Sequence, residues 1–495
     1  MTLDKQGKKP PYLVIAILFF GAFVSFLNNS LLNVALPTIM KDFEVDYSTV
    51  QWLATGYMLV SGVLIPVSAF LITRFKNRHL FITAISLFTI GTALAAYAPH
   101  FGVLLAGRMI QAAGGSVMGP LLMNIMLVSF PREKRGAAMG IFGLVMITAP
   151  AIGPTLSGYI VEYWDWRVLF EMILPFAVIS LILAIWKLEN ILETRDVSID
   201  YFSILLSIIG FGGVLYGCST ASTEGWSDAK VLSTLIIGAI GIIWFIIRQF
   251  RLEQPLLDLR VYKYPMFAVG NIISMVVTAA MFSGMILTPA YVQNVRGISP
   301  LDSGLMMLPG ALAMGIMSPI TGRLFDKFGP RILAFVGLSV TAYGTYLLST
   351  MDLETTKTTI VLMYTLRMFG MSMVMMPIMT NGLNQLPNRL NPHGTAVNNT
   401  VQQVIGSIGT ALFVTLMNSV ATNKGEELVE AVKAANPAEL QNPTFIAGIQ
   451  QQALLEGIQV SFLVATIVTI VALILTLFLK RVDVSKVIAE NIENK

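Results

Sequence analysis

Fourteen apolar stretches run through this sequence of 495 residues, and each is long enough to cross a lipid bilayer as a helix. A spanning helix needs about 20 mostly apolar residues, because backbone polar groups find no water in the bilayer core and must bond to one another. We expect spans at 12–37, 49–72, 80–98, 102–128, 136–161, 167–187, 201–220, 231–248, 266–291, 303–322, 332–350, 358–380, 396–420 and 458–479. With 55% hydrophobic and 12% charged residues, the chain is predicted to be an all-α, polytopic membrane protein and not a soluble domain.

Basic residues are divided unequally between the two sides of the predicted membrane. When the N-terminus is placed inside, 23 of the 32 Lys and Arg residues fall in cytoplasmic segments and seven in outer ones. Cytoplasmic loops of membrane proteins carry an excess of Lys and Arg, so both termini are predicted to be cytoplasmic. The net charge of +4 therefore reflects orientation in a membrane, and we expect no nucleic-acid partner.

The two halves of the sequence repeat one another. Pro66–Arg78 aligns without gaps on Pro319–Arg331, at an offset of 253 residues. Two more pairs follow at offsets of 259 and 258: Arg108-Met109 with Arg367-Met368, and Arg135–Met139 with His393–Val397. A nearly constant offset indicates two similar units in the same order and orientation.

This repeat predicts a domain organisation. Two parallel six-helix halves are expected at 1–195 and 261–495, joined by a linker at 196–260 that carries two additional transmembrane helices. The largest outer loop is expected at 422–457. Parallel repeats of this kind are typical of transporters, in which two halves rock about a site near the bilayer midplane.

The fifth predicted span has an unusual composition at Ala149–Gly158. Pro150 and Pro154 each remove a backbone donor and bend a helix, whereas Gly153 and Gly158 let a neighbouring helix approach closely. We interpret the segment as a shaped packing element, with an ordinary kinked membrane helix as the alternative.

Several segments together resemble the major facilitator superfamily, and within it the fourteen-helix group of drug:proton antiporters. These segments are Gln51–Tyr57, Leu105–Pro120, Ala149–Gly158, Trp166–Pro175 and Gly394–Ala411. The run Leu27–Pro37 is similar to the lincomycin-resistance type of exporter in that group. The resemblance extends over essentially the whole chain.

The resemblance implies a multidrug exporter of the plasma membrane that exchanges amphipathic drugs for protons by alternating access. Its partners would be small amphipathic substrates, protons and the lipid bilayer. The proton gradient would supply the energy without a cofactor, and one chain would suffice as a monomer. Two other interpretations stay open: an exporter of an endogenous lipid, peptide or metabolite, and an uncoupled facilitator.

The cytoplasmic gate of this family is expected in the second half of the chain. After the second span, Thr73 stands where the family usually places an acid, whereas Gly322–Arg331 keeps the full pattern. We therefore assign the gate to Asp326 with Arg331 near it, and Arg74 to the matching place in the first half.

The acid that carries protons must differ from that of many relatives, because the first span has Asn28 where they have an aspartate, and an amide does not titrate. Glu171 follows Trp166 by five residues in the sixth span, about 7 Å along the helix axis. Partial desolvation there would favour its neutral form. Glu171 and Glu162 are therefore candidate proton-coupling acids, with Arg108 as the group that tunes or senses the acid.

Each of these assignments has a structural alternative. Glu171 could instead be a static partner of Arg167 or Lys230 at the outer interface. Arg108 could instead hold backbone carbonyls freed by the prolines of the fifth span.

Polar side chains in several spans predict a hydrogen-bonding substrate cavity with apolar walls. The candidates are Asn28, Asn29, Asn33, Gln51, Gln111, Asn124, Arg367, Asn398 and Gln402. Six methionines between positions 368 and 379 would give an adaptable surface if they face this cavity, with packing or lipid contact as the alternative.

Other chemistry is not expected. The sequence has no phosphate-binding glycine loop, so ATP is not predicted to drive transport. Its one cysteine, Cys218, and its three histidines, His79, His100 and His393, are too far apart in the predicted topology for a metal site. We therefore predict neither a metal centre nor an enzyme.

Overall fold

The computed structural model describes residues 11–435 and 442–482, and in these ranges the chain forms helices and no β-strand. Fourteen helical segments are long and apolar enough to cross a membrane, which confirms the predicted all-α polytopic fold. The helices are α1 (Tyr12–Asp42), α2 (Tyr47–Arg74), α3 (Asn77–Ala96), α4 (Phe101–Ser129), α5 (Arg135–Tyr163), α6 (Val168–Lys187), α7 (Tyr201–Glu224), α8 (Ala229–Arg251), α9 (Pro265–Ala290), α10 (Pro300–Phe328), α11 (Pro330–Ser349), α12 (Lys357–Ser372), α13 (Met375–Gln385), α14 (Asn391–Ala435) and α15 (Pro443–Leu475).

The helices form two packed groups that meet along two seams. In the first half, α1 packs on α5 and α6, and α3 packs on α4 and α6. In the second half, α9 contacts α13, α14 and α15, and α11 contacts α12 and α15. One seam is formed by α5 and α10, and the other by α2 and α4 against α14.

The α5/α10 seam is close because glycines of each helix face the other helix at several levels. At the cytoplasmic end, a methyl group added to Gly322 would overlap the carbonyl group of Gly136. At the outer end, a methyl group on Gly158 would lie 3.2 Å from the side chain of Leu301. Backbones that approach this closely gain van der Waals contact that lipid tails do not provide.

The additional helices α7 and α8 lie over the α2/α14 seam. The hydroxyl of Ser207 on α7 donates to the carbonyl of Val63 on α2 at 3.2 Å. Trp226, just after α7, donates its indole N–H to the hydroxyl of Thr415 on α14 at 2.6 Å. The hairpin therefore contacts both halves and is more than a covalent connection between them.

Two spans differ from their predicted form. The twelfth is interrupted between α12 and α13, because Pro377 has no N–H to bond to the carbonyl of Met373 one turn earlier. The thirteenth continues beyond the membrane, since the 45 residues of α14 reach about 67 Å, against a hydrocarbon core of about 30 Å. The described parts of the expected outer loop 422–457 are thus extensions of α14 and α15.

Candidate functional site

Asp326 joins the two halves at the cytoplasmic end of the α5/α10 seam. Its carboxylate oxygens accept hydrogen bonds from the backbone N–H groups of Gly136 at 2.9 Å and Ala137 at 3.0 Å. These N–H groups lie in the first turn of α5, where a helix has no internal acceptors and carries a partial positive charge. A carboxylate from α10 therefore caps α5 across the boundary between the halves.

Two arginines before and at the start of α5 strengthen the same junction. Arg132 donates to the backbone carbonyl of Leu386 at 3.0 Å, and Arg135 donates to the side-chain oxygen of Asn384 at 3.3 Å. We call Asp326, Arg132, Arg135 and Asn384 the cytoplasmic gate. Of these four residues, only Asp326 was predicted to belong to the gate. Arg135 stands at the start of a repeated segment, and this position is the sequence signal that could have indicated it as a second gate residue.

The predicted basic partners of the gate lie elsewhere. Arg331 is exposed, and the arginine beside Asp326 is Arg481, which donates to the Asp326 backbone carbonyl at 2.6 Å. Arg74 forms an ion pair with Asp196 in the loop after α6. The assignment of Arg331 and Arg74 to the gate contact is therefore corrected: Arg331 is exposed in the first turn of α11, and Arg74 is held by the loop after α6.

The first half has no equivalent cap in the described residues, because Thr73 turns its hydroxyl inward. That hydroxyl donates to the carbonyl of Ala69, one turn earlier in α2. The carbonyl of Thr73 accepts from the backbone N–H of Arg195 at 2.9 Å. The loop after α6 thus covers this end of the first half, and the gate is asymmetric.

The helix-packing motif on α5 serves both neighbours of that helix. Gly153 faces α1, where a methyl group in its place would overlap the side chain of Ser30. Gly158 faces Leu301 on α10. Pro150 and Pro154 lie within the continuous helix α5. The motif therefore places α5 between α1 and α10.

Arg108 lies inside the first half and is 1% exposed. Its guanidinium donates to the Gln111 side-chain oxygen at 3.0 Å and lies 4.5 Å from the centroid of the Tyr57 ring. Gln111 in turn donates to the hydroxyl of Thr92 at 2.8 Å. These contacts run to α2 and α3 and not to carbonyls of α5, so the predicted alternative role as a clamp for α5 carbonyls is wrong for the contacts described.

Arg367 occupies the matching place in the second half but has different partners. It is fully buried and donates to the hydroxyl of Thr345 at 3.1 Å and to the backbone carbonyl of Ala280 on α9. Thr345 follows Thr92 by 253 residues, the offset of the repeat. Because Arg367 is enclosed by α9, α11 and α12, it belongs to the packing of this half, and its assignment to the substrate cavity is corrected.

The other predicted cavity residues do not gather around one opening. Asn28 and Gln111 are buried in the first half, as is Asn124, which bonds to a carbonyl of its own helix. Asn29 is exposed, Gln51 and Gln402 are half-buried, and the side chain of Asn33 lies outside the described ones. Asn398 is buried beside α9, where it contacts Asn271 and the sulfur of Met379.

The methionines of α12 and α13 divide between two environments. Met368 and Met371 are buried in the core of the second half, and Met379 is buried beside Asn398. Met376 is half-buried and reaches α5, where a methyl group on Gly143 would lie 2.9 Å from it. Three of the six methionines therefore have the packing role that was the alternative prediction.

The two candidate coupling acids lie on the outer surface. Glu171 is exposed in the first turn of α6, and Glu162 is exposed at the end of α5. The expected desolvation of Glu171 is therefore wrong. The ion pairs of Arg167 go to Asp42 and Asp165, so Arg167 is not the static partner of Glu171 either. Whether Glu171 takes part in proton coupling stays a prediction.

The comparisons with known proteins agree with this architecture. The family model described as Major Facilitator Superfamily matches residues 18–410. An uncharacterised MFS-type transporter, YhcA, of Bacillus subtilis is 46% identical over 98% of this chain and 95% of that protein.

Two further relatives extend these findings. The lincomycin resistance protein LmrB of Bacillus subtilis is 43% identical over 97% of this chain and 98% of that protein. The crystal structure of the human organic anion transporter MFSD10 (TETRAN) has a TM-score of 0.63 at 14% identity, covering 93% of this chain and 100% of that one, which shows the fold alone. The chain is thus a multi-pass membrane protein that belongs to the major facilitator superfamily of transporters.

Proposed function

We propose that this protein exports amphipathic drugs across the plasma membrane in exchange for protons, by alternating access between its two halves. The observation that carries the proposal is the cap that Asp326 forms on α5. Because it links one half to the other, it stabilises an arrangement in which the cytoplasmic ends are closed. The likeness to the lincomycin resistance protein LmrB supports drugs as the substrates.

Asp326 is also the acid that we propose for proton coupling. An ionised carboxylate interacts favourably with the positive N-terminal end of α5, and protonation removes this charge. A proton that reaches Asp326 while the protein is open to the outer side weakens the cap and favours opening towards the cytoplasm. There the proton is released as drug binds, and the ionised carboxylate restores the cap and closes that side. Proton binding and gate opening are thereby linked through one side chain.

Reconstituted transport tests the proposed function. Purified protein in proteoliposomes is given a pH gradient, and uptake of lincomycin and of a panel of fluorescent amphipathic drugs is measured. We expect uptake that depends on the gradient and disappears when an ionophore collapses it. Gradient-independent equilibration would indicate a facilitator, and absence of transport for every drug would favour an endogenous substrate; either result contradicts the proposal.

A further inference from the structure

Arg108 is a buried cation with an unused hydrogen-bond donor. Its Nε–H has no partner, and the described residues include no ion pair to this guanidinium. Among the described residues, its partners are the neutral amide of Gln111 and the face of the Tyr57 ring. Burying a charge without a counter-ion is costly, so an anion that reached this guanidinium would bind favourably.

A second unused donor lies in the same region. The hydroxyl of Tyr57 lies close to that of Ser25 on α1, since one methyl group added to Gly115 would contact both. Asn28 follows Ser25 by three residues and so shares its face of α1. The side chain of Asn28 is 2% exposed, and its Nδ2 has no partner. We call Ser25, Asn28, Tyr57, Arg108 and Gln111 the Arg108 cluster.

Gly115 on α4 keeps the two hydroxyls close to that helix. A methyl group on Gly115 would lie 2.7 Å from the Ser25 hydroxyl and 2.8 Å from the Tyr57 hydroxyl. Gly115 follows Arg108 by seven residues and so lies two turns along the same face. Since α4 also contacts α14 of the other half, separation of the halves at this seam would expose the helix that carries Arg108.

The acids of the spanning helices are far from this cluster. In the described helices, every Asp and Glu lies in a terminal turn or in the extensions of α14 and α15, as Glu171, Asp302 and Asp326 illustrate. Arg367, the matching buried arginine, instead donates to Thr345 and to the backbone carbonyl of Ala280, and its Nη1 has no partner. The interior of the first half is therefore positive, which attracts an anion and repels a second cation at low dielectric.

We propose that the Arg108 cluster binds the carboxylate headgroup of an amphipathic substrate. The guanidinium and the amide of Asn28 donate to the carboxylate, and the apolar body of the ligand packs on the surrounding helices. This inference rests on the proposed function only in taking the ligand to be an exported amphipath. A site of this kind favours acidic drugs over lipophilic cations.

A matched pair of probes tests the proposal. Pyrenebutyrate and pyrenebutyl-trimethylammonium share an apolar body and differ in headgroup charge. Their binding to the purified full-length protein in detergent is measured by pyrene fluorescence anisotropy, without any gradient. We expect wild type to bind the carboxylate more tightly than the cation. Arg108→Gln should weaken carboxylate binding about tenfold or more, because a charged hydrogen bond is lost, and should not weaken cation binding.

Two further variants separate binding from folding. Arg108→Lys keeps the charge and loses the planar fork, so we expect an intermediate affinity. Arg367→Gln removes the other buried arginine and should leave the preference for the carboxylate unchanged. Each variant is compared at a temperature below its measured unfolding midpoint.

Three results would overturn the proposal: tighter binding of the cation by wild type, equal loss for both probes in Arg108→Gln, and binding of neither probe by folded wild-type protein. Because no proton gradient is present, these results are independent of the coupling test above. Carboxylate binding without proton-driven transport would leave this site in place and refute the exchange mechanism.

Discussion

A 3.0 Å hydrogen bond from the backbone N–H of Ala137 to the carboxylate of Asp326 crosses from the first half of the molecule to the second. We predict that Asp326→Asn weakens this junction, because the amide keeps one acceptor but loses the charge that favours a helix N-terminus, worth about 1 kcal/mol. Spin labels at Lys134→Cys and Ile332→Cys, in a Cys218→Ala background, should then show a larger cytoplasmic separation by pulsed electron resonance.

Asp302→Asn is the matched control for this measurement. Asp302 lies at the outer end of the same helix, α10, in an exposed pair with Lys357. We expect its replacement to leave the label separation at its wild-type value. An unchanged distance distribution in Asp326→Asn would show that the cap does not hold the cytoplasmic side closed.

The close packing of α5 and α10 predicts that one added methyl group separates these helices locally. Gly322→Ala would drive a side chain into the backbone of Gly136, so the helices must separate locally. We expect increased reaction of a cysteine placed at Phe325, which is buried in this seam, with a membrane-impermeant thiol reagent from the cytoplasmic side. A methyl group added at Gly448 would have no atom within 4 Å, so Gly448→Ala should not change the labelling. Equal labelling in the two variants would contradict the close packing of α5 and α10.

Arg367 predicts a stability effect at Thr345. Thr345→Val keeps the shape of the side chain but removes the acceptor of the Arg367 Nε–H, leaving a buried donor unpaired. We expect a loss of about 1–3 kcal/mol, seen as a lower midpoint of thermal unfolding in detergent. Thr350→Val, at the exposed end of α11, should change the midpoint little. Equal midpoints for the two variants would argue against a bonding role for Thr345.

The contacts of Asp42 at the outer surface predict that this residue contributes to folding stability in a pH-dependent way. Hydrogen bonds from Trp166, and then from Arg167, lower the pKa of Asp42 from its ordinary value of 3.8. Its stabilising contribution is therefore present above the unfolded pKa and is lost as the pH falls through the lowered folded value. Because the side chain is 39% exposed, we expect less than about 1 kcal/mol.

The measurement is the unfolding midpoint between pH 2 and pH 6 for wild type and Asp42→Asn. The difference between the two proteins should shrink as the pH falls. Glu162→Gln, an exposed acid at the same side, serves as the reference substitution. A difference in unfolding midpoint that stays constant at low pH would show that the Asp42 carboxylate does not stabilise the fold.

The sequence predicted the spans well where apolar composition defines them. Span 80–98 corresponds to α3 at Asn77–Ala96, and span 332–350 to α11 at Pro330–Ser349. It did not predict the continuation of α14 past the membrane, because the polar outer segment has a helical propensity that hydropathy does not report.

The functional residues were harder to predict, because their contacts are tertiary. Asp326 was recognised from its motif, but its acceptor role towards Gly136 depends on how α5 meets α10. The exposure of Glu171 was missed because α6 is apolar on all sides, so its pattern does not distinguish an interior face from a lipid-facing one. Arg108 was expected to tune an acid or to hold carbonyls of the fifth span, whereas its partners are the side chains of Gln111 and Tyr57.

The exchange of drug for protons is tested most directly by measuring both fluxes together. Protein is reconstituted with a pH-sensitive dye inside the liposomes, and an outward gradient of a transported drug is imposed without any initial pH difference. We predict that drug efflux from wild-type liposomes drives proton uptake, that Asp326→Asn loses this coupling, and that Glu171→Gln, exposed on α6, keeps it. Drug efflux without proton movement in wild type, or full coupling in Asp326→Asn, would contradict the mechanism.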